Sequence, residues 1–222
     1  MAGVVGPTIP GVTDGLVFYV DAALSYTSGS TIWYDLVGSG NTTLTNGPTF
    51  DSENGGSIVF DGSNDYATAG YQMPAQSSTT TFSWNLWIYL FSGNGNNDVI
   101  FGNRYGTVGG GTQFIKITPT NWEYYNGGGE FIGYSIPTNQ WINLCVVKNQ
   151  GTHYYYSNAS QVGTRSSNKS IVANPVFMGA DAYSGIKEPS SVQFASATIY
   201  DRALSSTEVL QNYNALKSRF NL

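Results

Sequence analysis

The chain has 222 residues, 41% of them hydrophobic and 14% aromatic, which supplies one sizeable two-layered core and excludes a disordered chain. Charged residues reach only 10%, against about 25% in an average globular protein. The polar load falls on 24 Ser, 21 Thr and 20 Asn, a neutral hydrogen-bonding surface suited to crowded assemblies or sugar contact, and the net charge of −5 with scattered Lys and Arg excludes a nucleic-acid footprint.

Residues 1–14 read as an extended arm, because Pro7 and Pro10 stand among small residues in Met1–Val12. No basic segment followed by an apolar stretch marks a signal peptide there, and no later run approaches a membrane span, so neither export nor a membrane is expected. From residue 15 to 222 one domain is expected. Its strand candidates are 15–20, 57–60, 65–68, 80–91, 98–101, 112–118, 121–125, 130–134, 141–148, 152–157, 175–179 and 191–200, separated by Gly, Asn and Pro in the manner of a sandwich. The segment 80–91 is the clearest: Phe82, Trp84, Leu86, Ile88 and Leu90 alternate with Ser83, Asn85, Trp87 and Tyr89. The first set should line the core, and Trp87 on the other face should be covered by a loop or a partner. Cys145, the single cysteine, lies in the apolar run Trp141–Val147, so no intrachain disulfide forms and a buried thiol is expected. A helix over 205–220 is announced by the capping box Ser205-Ser206-Thr207-Glu208, with Val209, Tyr213, Leu216 and Phe220 on one stripe.

Catalytic signatures are sparse. His153, the only histidine, sits in an alternating strand and reads as a satisfied structural imidazole rather than the base of a nucleophile triad. No strand carries the pair of carboxylates on one face that a retaining glycosidase needs, although Glu123 and Glu130 could meet across a turn at Asn126-Gly127-Gly128-Gly129. That turn and Val108-Gly109-Gly110-Gly111 lack the Lys-Ser/Thr of a phosphate loop and read as β-connections. Aromatic platforms suit sugar rings, and the candidates for carbohydrate binding or for a subunit interface are Tyr105, Trp122, Tyr124, Tyr125 and Tyr183.

Two phrases resemble a known family. Gly56-Ser57-Ile58-Val59-Phe60-Asp61-Gly62-Ser63-Asn64-Asp65-Tyr66-Ala67 and Ala197-Thr198-Ile199-Tyr200-Asp201-Arg202-Ala203-Leu204-Ser205 are similar to the opening and closing signatures of the laminin-G-like, concanavalin A-type jelly rolls. Gly15–Asp21, Trp33–Asn41 and Trp141–Val147 fit the same pattern, while Ala159 stands where the family's hairpin customarily has Gly. The resemblance implies an all-β, two-sheet antiparallel jelly-roll sandwich with a short C-terminal helix. It also implies calcium as a possible cofactor on rim loops, with Asp61, Asn64 and Asp65 or the loop Asn94–Asp98 as ligands, against the reading that these residues only stabilise turns.

Leu44–Phe50 and Leu210–Leu216 resemble versions found in virion proteins of tailed bacteriophages. This implies a non-enzymatic virion surface protein, made in the host cytoplasm, first of all a head decoration module bound to capsid or other virion proteins, with a homo-oligomer expected and a trimer possible. The alternative is a lectin-like module of a tail fibre that binds host surface glycans, and a weaker one is a polysaccharide-degrading glycosidase.

Overall fold

Alternation at period two builds the core. In the strand Thr81–Leu90 the side chains of Phe82, Trp84, Leu86, Ile88 and Leu90 all turn inward and are buried, as expected from the pattern. The computed structural model describes residues 11–38, 40–106 and 110–222. Within them the strands are β1 (Leu16–Asp21), β2 (Ile32–Trp33), β3 (Thr42–Thr45), β4 (Thr49–Asp51), β5 (Ser57–Asp61), β6 (Tyr66–Met73), β7 (Thr81–Leu90) and β8 (Phe101–Gly102). There follow β9 (Gln113–Ile117), β10 (Asn121–Asn126), β11 (Gly129–Gly133), β12 (Trp141–Asn149), β13 (Thr152–Ser157), β14 (Ser160–Ser166), β15 (Asn174–Met178) and β16 (Ser191–Tyr200).

They form two antiparallel sheets, an all-β sandwich of jelly-roll type. The first runs β14-β13-β12-β7-β16-β5-β4, and the upper half of β16 pairs with β1 where its lower half pairs with β5. The second runs β11-β10-β9-β8-β15-β6-β3-β2. A bulge between Phe194 and Ser196 resets the parity of β16, so that Phe194 and Ala197 both reach the core. Four strands escape sequence reading: β2, β3 and β4 have two to four residues, and β14 offers a single apolar side chain, Val162.

The outer face of the first sheet is covered by the chain itself. Helix α1 (Ala22–Ser25) is a single turn, and α2 (Ser206–Leu216) continues as a 3-10 turn over Lys217–Phe220. The capping box is made: Ser205 Oγ accepts from Glu208 N at 3.3 Å, and Glu208 Oε2 accepts from Ser205 N at 2.8 Å. Tyr213 and Phe220 stack on Trp87 with ring centroids 5.6 and 4.5 Å away. The cover expected over Trp87 is therefore neither a loop nor a partner but this helix, because its aromatic stripe and Trp87 each bury surface worth roughly 2–3 kcal/mol per side chain. Val209 closes a second cluster with Cys145, Val147 and Tyr200, and burial raises the Cys145 thiol well above its ordinary pKa. Residues 1–10 of the expected arm lie outside the described residues; Val12 is buried in that cluster, its N–H donating to Asn212 Oδ1 at 2.8 Å.

Arg219 locks the end of the chain to its beginning. Its Nη1 donates to both carboxylate oxygens of Asp21, at 2.9 and 3.0 Å, and its remaining donors reach the carbonyls of Asn54 and Gly56. Between β13 and β14 the two-residue turn Asn158-Ala159 has φ of 47° and 61°, the left-handed pair that a type I′ hairpin requires, so Ala159 holds a conformation that glycine adopts freely. Among the described residues no helix is long and apolar enough to cross a membrane.

Candidate functional site

The outer face of the second sheet, over β8 to β11, carries the chemistry. Alternation sends Ile115, Ile117, Trp122, Tyr124 and Ile132 into the core, and Phe114, Lys116, Glu123, Tyr125 and Phe131 the other way. The loop between β15 and β16 crosses this face and adds Asp181, Tyr183 and Glu188. It is tied down by the reciprocal pair Asp181–Lys187, both N–H···O contacts being 3.1 Å, and by Val99 N donating to Glu188 O at 2.6 Å. The result is a cleft of about 430 Å³.

Its floor is ionic although nearly dry. Lys116, 3% exposed, places Nζ 2.8 Å from Glu188 Oε2 and 3.6 Å from Glu123 Oε2, and donates to Asn97 O at 3.4 Å. Arg104 Nη1 reaches Asp181 Oδ2 and the same Glu188 Oε2, each at 3.2 Å. Glu188 thus bridges two cations through one oxygen. The Arg104 guanidinium also lies 4.6 Å from the Tyr183 ring centroid and 5.0 Å from that of Phe114. Burial raises the pKa of Glu123, with Lys116 opposing, and burial likewise raises Asp181.

The walls are aromatic. Phe114 and Tyr125 stack with centroids 5.0 Å apart and planes within 3° of parallel, and Phe131 is 45% exposed at the rim. Gly111 and Gly129 make room for these rings: a Cβ on Gly111 would stand 1.7 Å from Tyr183 Cε2, and one on Gly129 would stand 2.0 Å from Phe131 Cζ. The turn Asn126–Gly129 is a β-connection, as its sequence implies, while Val108 and Gly109 of the other segment lie outside the described residues.

Of the aromatic candidates, Tyr125 and Tyr183 line the cleft. Tyr105, half-buried, stacks on Phe177 at 6.0 Å and is not among the lining residues. Trp122 and Tyr124 are corrections: 1% and 2% exposed, they pack between the sheets, because on β10 they share the parity of Ile115 and Ile117 on the neighbouring strand rather than that of Tyr125. Glu123 and Glu130 do not meet either. Glu123 is opposite Phe131 and Glu130 opposite Tyr124, so the two carboxylates occupy opposite faces of the sheet. Lys116, Arg104, Glu188 and Asp181 escaped the sequence reading. The alternation Phe114-Ile115-Lys116-Ile117 could have shown Lys116 facing away from the core, but nothing local to the sequence reveals that the loop 181–188 folds over it.

Sequence candidates elsewhere resolve differently. His153 is structural but unsatisfied: it is 2% exposed, lies edge-on to Tyr124 at 4.5 Å, and neither ring nitrogen meets a hydrogen-bond partner. Burial, helped by Lys148, pulls its pKa down to about 3. Asp61 Oδ1 accepts from the N–H groups of Ser63, Asn64 and Asp65 at 2.8, 3.3 and 3.4 Å, and Asp65 Oδ2 accepts from Asp61 N at 3.2 Å. Carboxylate oxygens that accept from amide donors in this way build an Asx turn, the turn-stabilising reading of these residues. In the loop Asn94–Asp98, Asp98 Oδ2 accepts from Gly95 N at 2.6 Å in the same way. Among the described residues no three His, Cys, Asp or Glu side chains converge as metal ligands.

A second cleft of about 430 Å³ opens between the sheet edges at β2 and β4, with Tyr26, Leu44 and Phe50 at its walls. It has no charged lining, and of these two clefts the outer-face one is where charged groups and rings converge.

Solved structures share this architecture at low sequence identity. Domain 4 of an extracellular arabinanase from Geobacillus stearothermophilus, in complex with arabinotriose, is 17% identical with a TM-score of 0.70, over 89% of this chain and 98% of that one. A sialidase from Trypanosoma rangeli in complex with sialic acid is 14% identical with a TM-score of 0.66, over 98% of this chain and 36% of that one. The receptor-binding domain of botulinum neurotoxin type G is 16% identical with a TM-score of 0.62, over 90% of this chain and 51% of that one. The chain therefore spans about half of the toxin domain and about a third of the sialidase. No curated protein matches it by sequence. A laminin G-type family model does match, over residues 61–210, from the Asx turn after β5 into helix α2, and the chain belongs to the concanavalin A-like lectin/glucanases superfamily.

Proposed function

We propose that the protein is a carbohydrate-binding module that holds an oligosaccharide in the outer-face cleft and does not cleave it. The observation that carries this reading is the meeting of Tyr125, Phe131 and Tyr183 with the part-exposed carboxylate of Glu188 in one cleft of about 430 Å³. A sugar ring presents C–H faces, which suit the aromatic rings, and hydroxyls, which suit the Glu188 carboxylate as acceptor. The superfamily and the neighbours solved with arabinotriose and with sialic acid support it. Arrayed oligosaccharides followed by calorimetry test it: Tyr125→Ala and Phe131→Ala are each expected to weaken binding by about tenfold. Failure to bind any glycan, with or without a chelator, would remove the reading.

The setting we infer is the surface of a tailed-bacteriophage virion, as a head decoration module or a tail-fibre tip, attached to capsid or other virion proteins and self-associated as a symmetric oligomer. The phrases Leu44–Phe50 and Leu210–Leu216 and a chain with only 10% charged residues support it. Mass spectrometry of purified virions decides, and absence of the protein would end the idea.

Hydrolysis has one observation in its favour, the raised pKa of Glu123 in the same cleft as Glu188. Against it, Lys116 engages both carboxylates at once, at 3.6 and 2.8 Å, which leaves neither free as acid or nucleophile. Release of reducing ends that disappears in Glu123→Gln would favour the hydrolase.

A further inference from the structure

Resting on the carbohydrate-binding reading, we infer that the cleft selects uncharged glycans and rejects acidic ones, and that the excess of carboxylates around Lys116 and Arg104 is what discriminates. Two cations line the cleft, and three carboxylates hold them: Glu188 and Glu123 on Lys116, Asp181 and Glu188 on Arg104. Each cation is already paired with carboxylates before a ligand arrives. The Lys116 side chain is 4% exposed, and the Arg104 side chain, 18% exposed, has its guanidinium against the rings of Phe114 and Tyr183.

An acidic sugar would have to take the place of Glu188, the one carboxylate that bridges both cations. The loop resists that exchange. Glu188 sits at a left-handed φ of 48°, fixed by the hydrogen bond from Val99 N to its carbonyl and by the paired strand contacts at Asp181 and Lys187. Displacing its side chain would leave a second anion beside Asp181 and Glu123, both largely withdrawn from water, where like charges repel strongly. A neutral sugar meets no such conflict. The Glu188 side chain is 31% exposed and accepts from hydroxyl donors, while Tyr125 and Phe131 offer their faces to the ring. Net charge thus turns a general sugar cleft into a selective one, by opposing the wrong ligand as much as by holding the right one.

The test uses the whole chain and matched oligosaccharide pairs differing only in a carboxylate, such as galactose against galacturonate oligomers and lactose against sialyllactose, with affinities from calorimetry. The neutral member of a bound pair is expected to bind at least ~10-fold more tightly, and Glu188→Gln to narrow that ratio by ~3-fold or more. Glu123→Gln, which removes a different carboxylate, should narrow it too and serves if Glu188→Gln fails to fold. Acidic glycans binding as tightly as neutral ones would overturn the inference and leave the carbohydrate-binding reading intact. A ratio unchanged in both variants would overturn the assignment to the carboxylates. No binding by any glycan would remove both.

Discussion

Acidification should destabilise this protein through His153. The imidazole is enclosed by Tyr124 and Trp122, with ring centroids 4.5 and 6.2 Å away, it pairs across β12–β13 with Lys148, and its nitrogens have no partner. Its pKa is about 3 in the folded chain, whereas an unfolded histidine titrates near 6.5. Between those values the unfolded chain binds a proton that the folded chain refuses, so stability is fully present above about pH 6.5 and falls by roughly 1.4 kcal/mol per pH unit below it. At pH 5 the loss is roughly 2 kcal/mol, a substantial part of the 5–15 kcal/mol typical of a domain. Other groups act at lower pH. Asp61, held low by backbone N–H groups, and Glu208, held low by Arg202, lose their contribution below about pH 4, while Asp65, Glu123 and Asp181, raised by burial, act in the opposite sense near and above about pH 4. Subtracting a variant isolates the histidine. Urea unfolding followed by tryptophan fluorescence from pH 5 to 8 should show wild type losing stability below pH 6.5 and His153→Leu staying flatter. The variant should also gain about 1 kcal/mol at pH 7, because two buried unpaired nitrogens disappear. Equal slopes for the two proteins, or an NMR titration of His153 near 6.5, would refute the reasoning.

Three further outcomes are expected. Ala159→Gly should stabilise the protein by about 1 kcal/mol in chemical denaturation, since both residues of the β13–β14 turn have positive φ and Ala159, unlike Asn158, lacks the short polar side chain that eases that conformation. Arg219→Met should cost about 3 kcal/mol and lower the melting temperature, because it strands the Asp21 carboxylate, 1% exposed, without its cation. Gly111→Ala should leave the melting temperature within a few degrees but reduce glycan affinity, because the new Cβ displaces the Tyr183 ring from the cleft wall; unchanged affinity would show that Tyr183 takes no part.

Legibility followed the range of the interactions. The inward face of β7 follows from alternation along one strand, and the capping box at Ser205 and the Asx turn at Asp61 rest on contacts within a few residues; sequence sufficed for all three. The parity of β10 was harder. Trp122, Tyr124 and Tyr125 are equally aromatic, and only the pairing Trp122↔Ile117 shows which of them face inward. The burial of His153 was legible, but its lack of partners was not, since that depends on which side chains the opposite sheet brings against it.

The candidate site lies at the far end of this scale. Arg104, Lys116, Glu123 and Glu188 come from four separate segments, and Lys116 and Glu188 are 72 residues apart in the chain. Hydrophobic periodicity, a local property of the chain, determined a two-sheet sandwich with a helical clasp. Which polar residues meet was decided by strand register and by the course of the β15–β16 loop, because a charge finds its partner across space and leaves no periodic trace in the sequence.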